Sequence, residues 1–437
     1  QVIHFAKALV AADGRGAGWV TDADTAQGLP RFHPCSPDGA AWVVLGLLLA
    51  DVVRGDAQAL PLTRDILRRH AGLAPDGVAP QRSADGIYRH WYNPTNGGPY
   101  PGWDTEFATL STMKIVAAAV RARRHFRNDS VVRIAADTIA NTIRNHAAYV
   151  REQPDGLYFK ALPGGGPDVW SLSLPFHEGI LFVEQAAAFA DPVLPRYARW
   201  LDRARWPTAE LVTGKPVTGN VPGWFQAAFV TLYPWLLQKD FRSSPAWQQQ
   251  VKHLWYSHAA WNDANGPQWF AVFSAGTTPG GYNADSLSHH PHDIASFPAL
   301  LAFCAAGDTA PAVSAYQAYR TGARQTFASG ASLLYRRSNT DPAWLPNNAG
   351  LPDVVLGAAG LAELLQPGVV DRVWALDMDG DPFQITSVGE QLELTWPLLG
   401  WRVFESTNLV SWEEQWNLPN PWRFTPGSSQ RFYRLRR

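Results

Sequence analysis

Asp104-Thr105-Glu106 opens an apolar helical run directly after an aromatic and polar stretch, Tyr88-Arg89-His90-Trp91-Tyr92-Asn93, that continues through Tyr100 to Trp103. Carboxylic groups can protonate a leaving oxygen or activate water, and aromatic faces suit the C–H faces of pyranose rings. The combination points to a cleft that binds a glycan and cuts its glycosidic bonds. Two residues apart, the acids diverge on a regular helix and cannot both aim at one oxygen. Acids in a first helical turn also offset the positive helix end and cap its free N–H groups, and spacing alone does not choose between these roles. Glu178 has a similar setting, between the loop Trp170 to His177 and an apolar helix. An apolar wall would raise its pKa and suit it as a general acid, while a helix-opening charge is the alternative.

Other constellations are weaker. Ser288-His289-His290-Pro291-His292-Asp293 has the residue types of a metal site, but no second cluster at ligand spacing supports it, so it reads as a loop lining the cleft and no metal is expected. Asp377, Asp379 and Asp381 have the alternate spacing of a calcium loop, yet Pro382 replaces the turn glycine and Val388 stands where the bidentate glutamate belongs. A polar linker explains these charges equally well. No dinucleotide fingerprint, phosphate loop, serine-hydrolase elbow or zinc-hydrolase motif occurs, so no cofactor is expected.

The chain of 437 residues carries 20 Trp, 13 Tyr and 20 Phe, more than one core requires, so some rings are expected to line a groove while others fill a large core. With 37 basic and 38 acidic residues and no basic run, it offers no footprint for nucleic acid. The most apolar stretch, Ala40 to Ala50, is far shorter than the about 20 residues that span a bilayer. Cys35 and Cys304 either pair across a long loop or are two buried thiols. The start at Gln1 without a signal peptide suggests a mature or trimmed chain, which leaves export open.

The elements needed to hold such a site are mostly helical. Helix-spaced apolar residues run through Ala40–Val53, Leu60–Ala71, Phe107–Arg124, Val131–Arg151, Glu178–Ala190, Pro192–Ala204, Trp224–Gln238, Trp247–Trp261, Ile294–Ala306, Ala312–Thr326 and Val354–Leu365. Long loops rich in Gly, Pro, Asn and aromatic residues separate them, and no repeated motif marks a solenoid. The pattern predicts a mainly α protein, an α/α toroid of paired helices over residues 1–368, with loops at one end building the cleft. Short β-rich runs after Pro367 predict a small C-terminal β-domain over 369–437. Glu405 to Trp412 and the ending Arg431-Phe432-Tyr433-Arg434-Leu435-Arg436 resemble a β-module found at the C-terminus of secreted bacterial proteins, which implies a periplasmic or secreted location.

Taken in order, several segments resemble the bacterial glucoamylase-like family, which includes β-1,2-glucanases and a domain of cyclic β-1,2-glucan synthases. The resemblance covers roughly residues 15–366. Its motifs are Tyr88 to Gly97, then Trp103 to Ala108, Phe176-His177-Glu178-Gly179, Asp240-Phe241-Arg242 and Ala275 to Ser286. It implies that the toroid is an (α/α)6 barrel, and it implies hydrolysis of a β-glucan, with inversion, by Glu178 as general acid, while Asp104 and Glu106 bind sugar or tune that acid. The substrate-binding residues it favours are Tyr88, Trp91, Trp170, Trp224 and Tyr282 as rings and His90, His177, Gln226, Arg242, Asn283 and His289 as hydrogen-bonding groups. Two positions depart from the family pattern: Thr277 replaces an acid, and the late aspartate that would serve as base falls near Asn339 or Asp341. Asp341 is the candidate base. Two other readings remain open, a polysaccharide lyase using Tyr282 with His289, His290 and His292, and a glycan-binding protein without a base.

Overall fold

The computed structural model describes residues 17–374, except 31–33, 104, 190–192, 211–212, 222, 306–312, 314–316 and 318–323, together with six strands between 384 and 436. Asp104, most of the helix expected at 312–326 and the aspartates at 377–381 therefore lie outside the described residues.

Ten helices carry the architecture: α1 (Pro37–Arg54), α2 (Ala59–Ala71), α3 (Thr109–His125), α4 (Ser130–Ala140), α5 (Ile180–Phe189), α6 (Leu194–Leu201), α7 (Ala228–Leu237), α8 (Pro245–Asn265), α9 (Phe297–Ala302) and α10 (Leu351–Leu365). The apolar run from Ala40 to Ala50 is explained by α1, which is buried on every side from Pro37 to Ala50. A helix that is apolar all round belongs inside a protein, and α1 packs on α2, α3 and α10. Its start is fixed by Ser36, whose Oγ accepts the Gly39 N–H at 2.8 Å, and by Pro37 in the first turn. Gly55 ends it with φ 61°, its N–H donating to the Asp51 carbonyl.

Contacts run from α10 through α1 and α3 to α5 on one side, and from α10 through α9 to α7 on the other. Gly360 lets α10 lie against α9: a Cβ there would fall 1.8 Å from the Leu301 carbonyl oxygen. Helices α2 and α4 pack outside α1 and α3, α6 outside α5, and α8 against α7. Among the described residues no helix is long and apolar enough to cross a membrane.

Several expected elements are shorter than the sequence pattern. The helix expected at Val131–Arg151 stops at Ala140, where the Asn141 backbone N–H and side-chain amide both donate to the Asp137 carbonyl. Arg324–Thr326, expected as a helix end, is a strand paired with Ser332–Leu334. The helical body continues past 368 through Val369–Val373 to Trp374, which is fully buried and donates from its indole to the Leu45 carbonyl. Beyond it, the six strands form two three-stranded antiparallel sheets, one of Gln384–Val388, Gln391–Thr395 and Trp422–Phe424 and one of Arg402–Ser406, Glu413–Gln415 and Phe432–Arg436. Cys35 and Cys304 are two separate buried thiols, so the disulfide does not form, and burial pushes the Cys304 thiol up to about 12.

Candidate active site

The N-terminal ends of α1, α3, α5, α7, α9 and α10 meet at one end of the bundle. Ser111 and Lys114 of α3 bond Asp38 in the first turn of α1. Gln226, ahead of α7, donates to the Phe176 carbonyl ahead of α5. The strands Ile294–Ser296 and Arg336–Ser338 pair antiparallel, placing the entry to α9 beside residues that bond the first turn of α10. Helix N-termini carry partial positive charge, so this end favours anionic side chains without long-range help. Three carboxyl groups occupy it at helix entrances: Asp38, Glu178 and Asp353.

Asp38 is the centre of a charged cluster. Its Oδ1 lies 2.6 Å from Lys114 Nζ, and its Oδ2 accepts from Ser111 Oγ at 2.7 Å and faces His90 Nε2 at 3.3 Å. Nδ1 of His90 reaches Glu106 Oε1 at 3.0 Å, so the imidazole bridges two carboxylates. Burial opposes charge on both members. For Asp38, Lys114 and His90 outweigh burial and hold the carboxyl well below the usual carboxylate range. For His90, hydrogen bonds to Asp38 and Glu106 outweigh it and lift the imidazole to about 9. Trp91 stacks on the His90 ring at 3.9 Å and meets Trp103 edge-on, giving this side an aromatic flank. The second oxygen of Glu106, Oε2, is buried with no protein hydrogen bond.

Glu178 lies half-buried in the turn that leads into α5. Burial raises its pKa, but His177, with Nδ1 3.6 Å from Oε2, and Lys114 outweigh burial and hold the carboxyl below its ordinary value. The hydrogen bonds of His177 set its tautomer. Ser173 Oγ donates its one hydrogen to the Leu157 carbonyl at 2.8 Å, so its 3.1 Å contact with His177 Nε2 requires the proton on that nitrogen. The Gly179 N–H donates to Nδ1 at 2.9 Å, which requires a lone pair there. In these bonds His177 takes the Nε2–H tautomer, with its Nδ1 lone pair turned to the Gly179 N–H.

Asp353 is the acid that the sequence reading did not single out. It sits in the first turn of α10 and is buried, its Oδ2 accepting from Tyr335 Oη at 3.0 Å and Arg336 Nη2 at 3.1 Å. Burial raises its pKa against these two donors. Tyr233 and Tyr282 each lie within electrostatic reach of both Asp353 and Glu178. A signal for the two missed acids was present: Pro37-Asp38 and Pro352-Asp353 each open a strongly apolar helix with the same dipeptide.

Around this floor stand exposed rings, Trp170 at 93%, Tyr282 at 79% and Trp224 at 57% exposure. Trp170 begins a 3-10 turn whose neighbour Ser171 bonds Lys160, Trp224 lies on a strand whose next residue bonds Ser288, and Tyr282 is on a hairpin with Asn283, whose amide donates to Asp285. Partial desolvation, with Asp353, Asp22 and Glu178, raises the Tyr282 phenol, although most of the ring is exposed and so screened by solvent. His289 is exposed on the adjoining turn, where it bridges Ser286 through the backbone.

Other expected site residues lie elsewhere. Tyr88 is fully buried with its hydroxyl on the His70 carbonyl, so it packs the wall and has no surface for sugar. Arg242 pairs with Asp371 at 2.6 Å and stacks over Trp235 at the opposite end of the bundle. Asn339 staples Trp269 and Asp293 through their backbones, and Asp341 lies exposed in the turn beyond it. His290 stacks on Phe273 and pairs with Asp293, and among the described residues no group of His, Cys, Asp and Glu could hold a metal ion.

No family model matches the chain, and no curated protein is significantly similar to it in sequence. Among solved structures, a candidate glucoamylase from Bacteroides caccae aligns with a TM-score of 0.67 at 14% identity, over 85% of this chain and 94% of the other. An endo-β-1,2-glucanase from Chitinophaga pinensis, in complex with sophorotriose and glucose, aligns with a TM-score of 0.65 at 15% identity, over 85% and 93%. A sugar epimerase from a ruminal bacterium aligns with a TM-score of 0.53 at 11% identity, over 84% and 96%. The chain has the fold shared by glucoamylase-like proteins and endo-β-1,2-glucanases.

Proposed function

We propose that the cleft hydrolyses a β-glucan, with β-1,2-linked chains the first substrate to test, at the open end of an (α/α)6 barrel whose inner ring is α1, α3, α5, α7, α9 and α10. The observation that carries this reading is the pair Glu178 and Asp353 at two helix entrances of the same end, both within electrostatic reach of Tyr233 and Tyr282, with exposed aromatic rings on the neighbouring loops.

Inversion needs an acid for the leaving oxygen and a base for water, about 6.5–9.5 Å apart. Glu178, half-buried at the entrance to α5 with the peptide groups beside it held by His177 and Gln226, serves as the acid. Asp353 serves as the base in place of Asp341. Tyr335 and Arg336 both bond Oδ2, leaving Oδ1 to take a proton from water, and the raised pKa brings its basicity nearer to neutral pH. His90 and Glu106 meet sugar hydroxyls at the aromatic flank of Trp91, and Trp170, Trp224 and Tyr282 stack on pyranose faces.

A lyase reading is weaker because it needs a tyrosine that ionises easily beside cations, whereas partial desolvation and nearby carboxylates raise the Tyr282 phenol. Export to the periplasm or medium suits a polymeric substrate and rests on the C-terminal likeness alone. The test is incubation with β-1,2-glucan and a panel of other β-glucans, α-glucans and uronate polymers, with products read by chromatography and proton NMR. New α-configured reducing ends from a β-linked chain support hydrolysis with inversion. Sugar isomerised without chain cleavage would instead assign epimerase chemistry, and an unsaturated product would assign a lyase.

A further inference from the structure

His177 and Gln226 have the residue types of sugar ligands, but their polar atoms are largely turned to the chain. The imidazole of His177 is used at both nitrogens, Nδ1 accepting from the Gly179 N–H at 2.9 Å and Nε2–H donating to Ser173 Oγ. Its ring is held edge-on between Phe159 and Trp200, with centroids at 5.1 and 5.5 Å. Gly179 is required for this approach, since a Cβ there would fall 2.5 Å from His177 Cε1. Gln226 Nε2 donates to the Phe176 carbonyl at 2.9 Å and to Asn220 Oδ1 at 3.3 Å. Both side chains are buried. The peptide groups at Phe176 and Gly179, on either side of Glu178, are therefore pinned by one side chain each.

We infer that His177 and Gln226 are positioning residues that fix the backbone on both sides of Glu178, His177 by keeping a lone pair at Nδ1 for the Gly179 N–H and a proton at Nε2 for Ser173. This rests on Glu178 being the general acid. The arrangement matters because Glu178 lies in the turn ahead of α5, tied by i→i+3 bonds such as Leu181 N–H to the Glu178 carbonyl, which support a side chain less firmly than a helix interior. A misplacement of about 1 Å at a reacting group can cost about 100-fold in rate, so two side-chain clamps on a four-residue turn have a large lever.

The experiment uses the full chain and the substrate on which wild-type activity is found. Glu178→Gln is measured first: retained activity would overturn the acid assignment itself, independently of the two positioning residues. Given a dead Glu178→Gln, His177→Phe and Gln226→Leu are expected to lower kcat by about 30-fold or more with KM changed less than about threefold, and His177→Gln, which can accept from Gly179 and donate to Ser173, is expected to recover most of the loss. A raised KM with kcat intact would show that these residues bind sugar and would overturn the inference. For the tautomer, nitrogen NMR of the His177 ring in folded wild-type protein should show Nδ1 unprotonated and Nε2 protonated at neutral pH, whatever the variants' stability. A proton on Nδ1 there would leave no lone pair for the Gly179 N–H and would overturn the positioning role of His177.

Discussion

The two ends of the same helices are built from opposite charges and serve opposite purposes. At the N-terminal end, Asp38, Glu178 and Asp353 sit at helix entrances among long loops. At the C-terminal end, the groups are basic. Arg121 of α3 is buried and donates to the carbonyls of Ala117, Leu237 at the end of α7, and Trp374. His125, at the end of α3, meets Asp51 of α1 at 2.7 Å, and Arg242 meets Asp371. Parallel helices create this polarity by themselves, since unsatisfied N–H groups gather at one end and unsatisfied carbonyls at the other. The carbonyl end is closed by cations that bond it, while the N–H end gathers the carboxyl groups of the proposed active site. Stability and chemistry are thereby separated along one axis.

The sharpest break of that separation is at the acid pair. Glu178→Gln should lower kcat by about 1,000-fold or more while binding of oligosaccharide, read by calorimetry, stays within a few-fold of wild type. Asp353→Asn should cost about 100-fold or more in kcat. It also removes the charge facing the buried Arg336, so its melting temperature should fall, which Glu178→Gln should not reproduce. If Asp353→Asn is active and Asp341→Asn is not, the base lies on the exposed turn and the site has been centred wrongly.

The opposite end should respond in the opposite way. Arg121→Met leaves three carbonyls without their donor, at a cost of roughly 3 kcal/mol, seen as a lower denaturation midpoint. Activity per folded molecule should not change. Loss of kcat in the folded fraction would mean that the two ends are coupled through α3.

The same polarity explains how much of the molecule was legible in the sequence. The helices whose N-terminal ends gather at the candidate site announced themselves because their apolar residues are periodic or continuous, as in Ala40 to Ala50. Glu178 was legible because a loop with aromatic residues enters an apolar helix there. Asp38 and Asp353 were passed over because an acid after a proline in a first turn is also an ordinary helix start, and only long-range contacts with Lys114 or Arg336 mark them as members of a site. Tyr88 and Arg242 failed as sugar ligands for a related reason: residue type shows what a side chain can bond, but the fold decides whether it faces the cleft or the wall. Asn339 reads as a degenerate catalytic position in the sequence, yet its three side-chain bonds to backbone make it a loop staple.

The cluster at Asp38 gives the cleft end a stability signature of its own. His90 is lifted to about 9 from an ordinary value near 6.5, so its contribution is fully present below about pH 6.5 and is lost as pH rises through 9. Asp38 is held low, so its contribution is present above about pH 4 and is lost as pH falls below that. Melting temperature should therefore decline between pH 6.5 and 9, and His90→Asn should flatten that decline while leaving the acid side in place. A wild-type decline that His90→Asn leaves unchanged would assign the titration to another group.

The smallest effects belong to the rim, and they test whether the open end is a glycan surface at all. Trp170 and Trp224 are mostly exposed, at 93% and 57%, so each loses little packing when truncated, and Trp170→Ala and Trp224→Ala should leave the melting temperature near wild type. A stacked ring contributes about 0.5–1.5 kcal/mol beyond its buried area, so each variant should raise KM by about 2- to 10-fold with kcat nearly unchanged. Chain length sharpens the comparison. If the rings stack on sugars away from the scissile bond, the penalty should shrink on the shortest oligosaccharide that still turns over, because that substrate no longer reaches them. A penalty equal for short and long chains would place the lost contact beside the carboxylates. No penalty on any chain would separate the aromatic rim from substrate binding and leave the floor of Asp38, Glu178 and Asp353 to hold the sugar alone.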